Sequence, residues 1–252
     1  MISERTFARS FDSVWQEVLP LLTPHFVAIF NQAYEVALTN ESGNELSVLP
    51  VDDGIEHPDI VSEFAFQLAK IACTKGLPLG LVAMDASLTE TAEKNAVRLI
   101  ERYEGSQPHK MAPMSEVERL EGFRLCERYS ALYSVFPGSP VEFNPRFQGA
   151  GFINASEGDI SIGNCLVEVK TSTRKCRGRD IRQLIIYLAL DANASGNRWS
   201  CVGVFNPRRG TFHRAEIDPL ILRLSGGKPP SDVFAELVAF AESYEPAIER
   251  TF

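Results

Sequence analysis

Hydrophobic positions along the chain change period near its middle, from helical spacing to strand-like runs. In the first 110 residues the spacing is helical. Residues 10–22 open on a capping side chain, Ser10 or Asp12, and Pro24 restarts the chain into a helix over 26–37. Residues 39–58, rich in Asn, Gly, Asp and Pro, predict a loop with a short extended piece at 46–51. A helix over 59–75 puts Ile60, Phe64, Leu68 and Ile71 on one stripe and ends at Gly76. Another, over 89–103, turns Ala92, Ala96, Leu99 and Ile100 inward. Residues 104–113 have linker composition, so the boundary between an N-terminal region (1–110) and a second unit (111–252) is expected there. The second unit reads as a helix over 115–133, extended pieces at 141–147 and 151–154, and two short strands around Gly163-Asn164. A helix over 179–193, an apolar strand over 199–206, a strand over 211–217 and a closing helix over 232–244 follow. That order predicts an α/β fold with a mixed sheet between helices.

The strongest chemical signal lies in the hairpin. Gly163-Asn164 suits a two-residue reversal, which pairs Ile162 with Cys165, Ser161 with Leu166, Ile160 with Val167 and Asp159 with Glu168. Two carboxylates then stand as cross-strand neighbours, their Cβ atoms roughly 4.5–5.5 Å apart. Lys170 projects from the same face, roughly 6.6 Å further along. Cys165, Val167 and Val169 with Ile160 and Ile162 make the other face apolar. That face is expected on the core, with the polar face turned outward. Two acids and a lysine converging in this way suit a divalent cation. On the helix that follows, Gln183 and Tyr187 share a face, with Arg179 one turn earlier.

Gly158-Asp159, then Glu168-Val169-Lys170, then Gln183 and Tyr187 resemble the PD-(D/E)XK nuclease superfamily, most closely its RecB-like branch, over about residues 115–218. The resemblance implies a restriction-endonuclease-like core: a mixed β-sheet flanked by helices, here with a mainly helical N-terminal region. It implies Mg²⁺ or Mn²⁺ held by Asp159, Glu168 and the Val169 carbonyl, and a Lys170 that positions or activates water. Gln183 and Tyr187 would contact nucleic acid or support the site. A further acid is expected from the helix over 115–133, and Glu121 is chosen ahead of Glu118 and Glu127. The implied activity is hydrolysis of DNA phosphodiester bonds, with RNA left open. Iron–sulfur members carry four cysteines around the core, an arrangement that Cys73, Cys126, Cys165, Cys176 and Cys201 lack.

Charge refines the expectation. The net charge of −8 argues against a protein that coats DNA. Residues 1–110 hold eight Lys and Arg against sixteen Asp and Glu, whereas residues 111–252 hold seventeen of each. Near Lys170 the positive charge concentrates in Arg174, Lys175, Arg177, Arg179 and Arg182, opposed by Asp180 alone, and predicts a phosphate-backbone contact. The acidic N-terminal region is expected either to pack on the core as an extension or to dock a protein partner. The odd cysteine count fits reduced thiols. No apolar stretch suits a secretory signal or a membrane span, so a cytoplasmic setting is expected. The four histidines lack metal-ligand spacing, and no phosphate-binding Gly-rich loop ending in Lys is present. Small nucleases of this type resemble components of bacterial antiphage or mobile-element systems, where a partner supplies targeting. The competing expectation is a non-catalytic nuclease-fold subunit that binds nucleic acid or a protein.

Overall fold

The computed structural model describes residues 1–104, 113–194, 196 and 198–244. In chain order the first helices are α1 (Glu4–Arg9), α2 (Asp12–Val18) and α3 (Pro24–Ala33), followed by strand β1 (Glu35–Ala37). Next come α4 (Pro58–Lys75), α5 (Leu79–Met84), α6 (Ala86–Glu104) and α7 (Glu116–Ser134). Strands β2 (Val141–Phe143), β3 (Arg146–Phe147), β4 (Ser156–Glu157), β5 (Ile160–Ile162) and β6 (Cys165–Val169) lead into α8 (Gly178–Ala194). The chain continues through β7 (Cys201–Asn206), β8 (Thr211–Glu216), α9 (Ile217–Ser225) and α10 (Pro230–Ser243).

Six strands form one mixed sheet in the order β1-β8-β7-β6-β5-β2, and β3 pairs with β4 separately. The β5–β6 register matches the sequence expectation: Ile160 opposite Val167, Ser161 opposite Leu166, Ile162 opposite Cys165. Gly163 supplies the positive φ of 57° at the first turn position. The Asn164 carbonyl accepts from Ser200 and Cys201 N–H, each at 3.1 Å, and so ties the turn to β7. β6 and β7 run parallel, which requires a crossover, and α8 makes it.

Strand alternation sends side chains into two cores. Leu166, Val202, Val204 and Ala215 meet α8, α10 and the N-terminal α1–α3 on one face. Ile160, Ile162, Val167, Phe205 and Phe212 meet α4, α6 and α7 on the other. Because both faces are covered, β6 and β7 are almost wholly buried and read as apolar runs. The boundary expected at residues 110/111 lies outside the described residues, and on either side of it the chain contributes to both cores. Among the described residues, no helix is long and apolar enough to cross a membrane.

Several expected elements change. The helix expected over 26–37 stops at Ala33, and Glu35–Ala37 instead extend the sheet edge against His213, Phe212 and Thr211. Residues 46–51 form no strand. Leu77-Pro78 turns directly into the short α5, and α9 follows β8 without a break. In each case a neighbour in space decides, which local spacing does not report.

α4 crosses α7 where Gly122 faces Phe64; a Cβ at Gly122 would lie 2.4 Å from the Phe64 ring. Gly122→Ala is therefore expected to cost roughly 1–3 kcal/mol, as overpacking does, read as a lower denaturant midpoint with an unchanged m-value.

Candidate functional site

The site forms at the C-terminal end of β6. Glu168 and Lys170 share the face of Leu166, as the period of two requires. Continuing the hairpin register by one step brings Asp159 opposite Glu168, and the Asp159 Oδ2 accepts from the Val169 N–H at 2.7 Å. Asn144, in a left-handed conformation with φ 56°, holds the segment before β5. Its N–H donates to the Asp159 carbonyl at 2.9 Å, and Lys70 Nζ braces its side chain at 2.6 Å. The polar face does not look outward as expected. α8 and α1 cover it, leaving Glu168 only 1% exposed.

A chain of polar contacts crosses that cover. Lys170 Nζ donates to Glu168 Oε1 at 2.6 Å and to Gln183 Oε1 at 3.0 Å. Gln183 Nε2 donates to Tyr187 Oη at 3.0 Å and to Glu4 Oε1 at 3.4 Å. Tyr187 Oη reaches Glu4 Oε1 and the Glu157 carbonyl, both at 3.3 Å, and its ring stacks on Phe147. Gln183 and Tyr187 thus sit with Lys170 as the sequence predicts. Glu4, buried on α1, is a partner that sequence reading misses. With acceptors fixed on its amide nitrogen, Gln183 presents its oxygen to Lys170.

Glu168 Oε2 is buried and has no hydrogen-bond partner. Burial and the neighbouring Asp159 push Glu168 up to about 7, against Lys170 and Arg5, which pull it down. Burial raises Asp159 as well, with Glu63 adding repulsion and Lys170, Arg5 and the Val169 N–H opposing. Two carboxylates, one with an unsatisfied oxygen, next to the Val169 backbone suit Mg²⁺ or Mn²⁺, which take one or two carboxylates and fill the remainder with water and phosphate. Among the described residues, no three His, Cys, Asp or Glu side chains cluster closely enough to hold a metal unaided.

The helix acid is not Glu121. Its carboxylate is buried against Arg208, 3% and 4% exposed guanidinium and carboxylate respectively, and it does not line the cleft. That pair clamps α7 to the turn after β7, where Arg128 also donates to the Pro207 and Arg208 carbonyls. Glu118 closes a capping box with Ser115, and Glu127 lies at a different cavity. The helix acid beside the pair is Glu63 on α4. It accepts from Gln67 at 2.7 Å, and burial raises its pKa. A signal existed: Asp59, Ser62, Glu63 and Phe66 form a second face of that helix, opposite its apolar stripe.

A cleft of about 440 Å³ opens over the site, lined by Asp159, Val169, Lys170 and Gln183 together with Glu63, Arg5, Arg9, Arg174 and Arg179. The five predicted phosphate contacts divide. Arg174 grips Asp180 in a two-point pair at 2.5 and 2.9 Å. Arg182 pairs with Asp12 at 3.1 Å and lies over Trp15, so it locks α8 to α2. Lys175 lies 3.5 Å from Glu35. Arg177 is exposed outside the cleft lining, and Arg179 lines the cleft. Arg174, Lys175 and Arg182 therefore have internal partners, while Arg5 and Arg9 of α1 are cleft residues that composition alone does not reveal. No protein-family model matches the chain, and no curated protein does.

Two outcomes follow. Because the folded pKa of Glu168 is raised from 4.5 to about 7, its share of stability is intact below 4.5 and lost as pH rises to about 7. The stabilisation of metal-free Glu168→Gln over wild type should therefore grow across that window, measured by thermal melts. Glu121→Gln should lose about 3–5 kcal/mol by stranding buried Arg208 yet bind Mn²⁺ normally by calorimetry, whereas Glu63→Gln should weaken Mn²⁺ binding.

Proposed function

We propose that the chain is a metal-dependent nuclease, built on a restriction-endonuclease-like core, that hydrolyses phosphodiester bonds of DNA. The observation that carries this reading is the buried Glu168 beside the half-buried Asp159, with Lys170 on one Glu168 oxygen and nothing on the other. A fold gains nothing from a half-satisfied buried carboxylate facing a second one unless a cation completes it. Asp159, Glu168 and the Val169 carbonyl would hold Mg²⁺ or Mn²⁺, with Glu63 facing the same cleft. When bound, the metal supplies phosphoryl-charge neutralisation, a more acidic water and leaving-group stabilisation.

The chain's own groups do the rest. Lys170, steered by Glu168 and Gln183, directs its remaining ammonium proton toward the cleft to orient the attacking water or offset developing charge. Burial and the Glu168 and Glu4 charges keep Tyr187 protonated, so it remains a donor within the support network. Arg9 and Arg179 face the cleft as contacts for the substrate backbone. The cysteines, all free, fit a reducing cytoplasmic setting. By analogy with small nucleases found in bacterial defence or mobile-element systems, the proposal includes service in such a system with a protein partner.

One observation favours the second reading, a non-catalytic binding subunit. Burial raises the pKa of Asp159, Glu168 and Glu63, and the Arg5 charge opposes that rise at all three, partly taking the place of a metal.

Incubation with DNA and RNA in Mg²⁺, Mn²⁺ or EDTA separates the two. Metal-dependent cleavage is expected, abolished in folded Asp159→Ala and Glu168→Ala and slowed about 10²-fold or more in Lys170→Ala. Absence of cleavage together with absence of Mn²⁺ binding would leave the binding subunit.

A further inference from the structure

Cys165 opens β6 and Cys201 opens β7, and the parallel register sets them directly opposite each other. Paired residues on neighbouring strands lie roughly 4.8 Å apart, inside the Cα separation of about 4.4–6.8 Å that a disulfide spans. Both side chains enter the same core, and the two thiols hydrogen-bond to each other. Two buried cysteines alone would be ordinary small core residues; an arginine sets this pair apart. Arg214, diagonally placed on β8, donates from Nε to the Cys201 sulfur at 3.3 Å. Its guanidinium also lies 3.6 Å from Glu216 and 5.4 Å from the centre of the Phe136 ring. The Cys165 thiol and Arg214, against burial, hold Cys201 below the usual thiol range. Burial pushes Cys73, Cys126, Cys165 and Cys176 up. Both paired cysteines are fully buried, yet each follows an exposed residue, Asn164 or Ser200, and the Arg214 side chain is itself exposed.

We propose that Cys165 and Cys201 are a redox-sensitive pair that closes to an intramolecular disulfide when a peroxide reaches it. The Cys201 thiolate sulfur attacks one peroxide oxygen and the O–O bond breaks. The released hydroxide takes up the proton that Cys201 had given to solvent and leaves as water, and Cys201 carries a sulfenic acid. The Cys165 sulfur then attacks the Cys201 sulfur, the S–O bond breaks, and the Cys165 proton leaves with that hydroxyl as a second water. Two thiols lose two electrons, and one peroxide becomes two waters. The new bond links β6 to β7 and closes residues 165–201 into a loop. Glu168, Lys170, Gln183 and Tyr187 all lie within it, so oxidation staples the crossover that carries the candidate site. In a reducing compartment the pair rests as thiols, and the disulfide is a transient response to oxidant.

The test treats the full reduced chain with a slight excess of hydrogen peroxide, alkylates the remaining thiols after denaturation and maps the peptides by mass spectrometry. A linked pair of peptides holding Cys165 and Cys201, lighter than the two thiol peptides by two hydrogens, is expected, with Cys73, Cys126 and Cys176 alkylated. The oxidised protein should melt about 5 °C or more above the reduced one, and dithiothreitol should restore the reduced melt. Cys165→Ala should stop at a Cys201 sulfenic acid, trapped by dimedone. Arg214→Gln, a change at an exposed side chain, should slow disulfide formation several-fold while leaving the reduced melting temperature unchanged. Other cysteines oxidised first, sulfinic acid at Cys201 in the wild type, or thiols that stay reduced would each overturn the pair. A disulfide formed as fast in Arg214→Gln, or an oxidised protein that melts no higher, would do the same. None of these outcomes bears on metal binding or cleavage.

Discussion

A half-buried Asp159 beside a fully buried Glu168, where β5 and β6 pair, sets the terms for everything around them. Removing ionised acids from water is costly, and placing them together raises the cost. The fold answers with Lys170, the Val169 N–H and nearby Arg5, yet leaves one oxygen of Glu168 unmatched. The other buried acids of the chain are treated differently. Asp180 receives two bonds from Arg174 and one from the Arg177 N–H; Asp191 receives the Arg198 side chain and N–H; Glu121 receives Arg208. Buried Glu118 is likewise satisfied, by the His57 N–H and by the Ser115 N–H and hydroxyl. At Asp159 and Glu168 the chain supplies less, and the proposed metal site rests on that difference.

That site depends on segments far away in sequence. α1 contributes Glu4 to the amide of Gln183, and α4 contributes Glu63, so helices before residue 104 line the cleft together with α8, over a hairpin found more than fifty residues later. Two of their acids, Asp59 and Glu63, line the cleft from α4, and Arg5 and Arg9 line it from α1.

The parts legible in sequence are those fixed by neighbours along the chain. Gly163-Asn164 determined the hairpin register, and the four-residue spacing of Gln183 and Tyr187 placed both on the face that meets Lys170. Gly76 closed α4 where expected, and α7 runs within one residue of the expected span. What failed was set through space. Glu121 has the right chemistry on a helix of suitable position, but Arg208, brought in by the turn after β7, claims it. Arg174 and Arg182 sit in the expected basic run, and Asp180 and Asp12 neutralise them. Tyr34 through Ala37 continue a helical pattern, yet the open edge of β8 draws Glu35–Ala37 into the sheet. Net charge by segment could not separate paired cations from unpaired ones.

Diffraction at the manganese absorption edge from crystals grown with Mn²⁺ tests the central claim most directly. The account predicts an anomalous peak about 2–2.5 Å from oxygens of both Asp159 and Glu168, with the formerly unmatched Glu168 oxygen among its ligands. A map without density there, in which Arg5 and Lys170 alone neutralise the two acids, would contradict it.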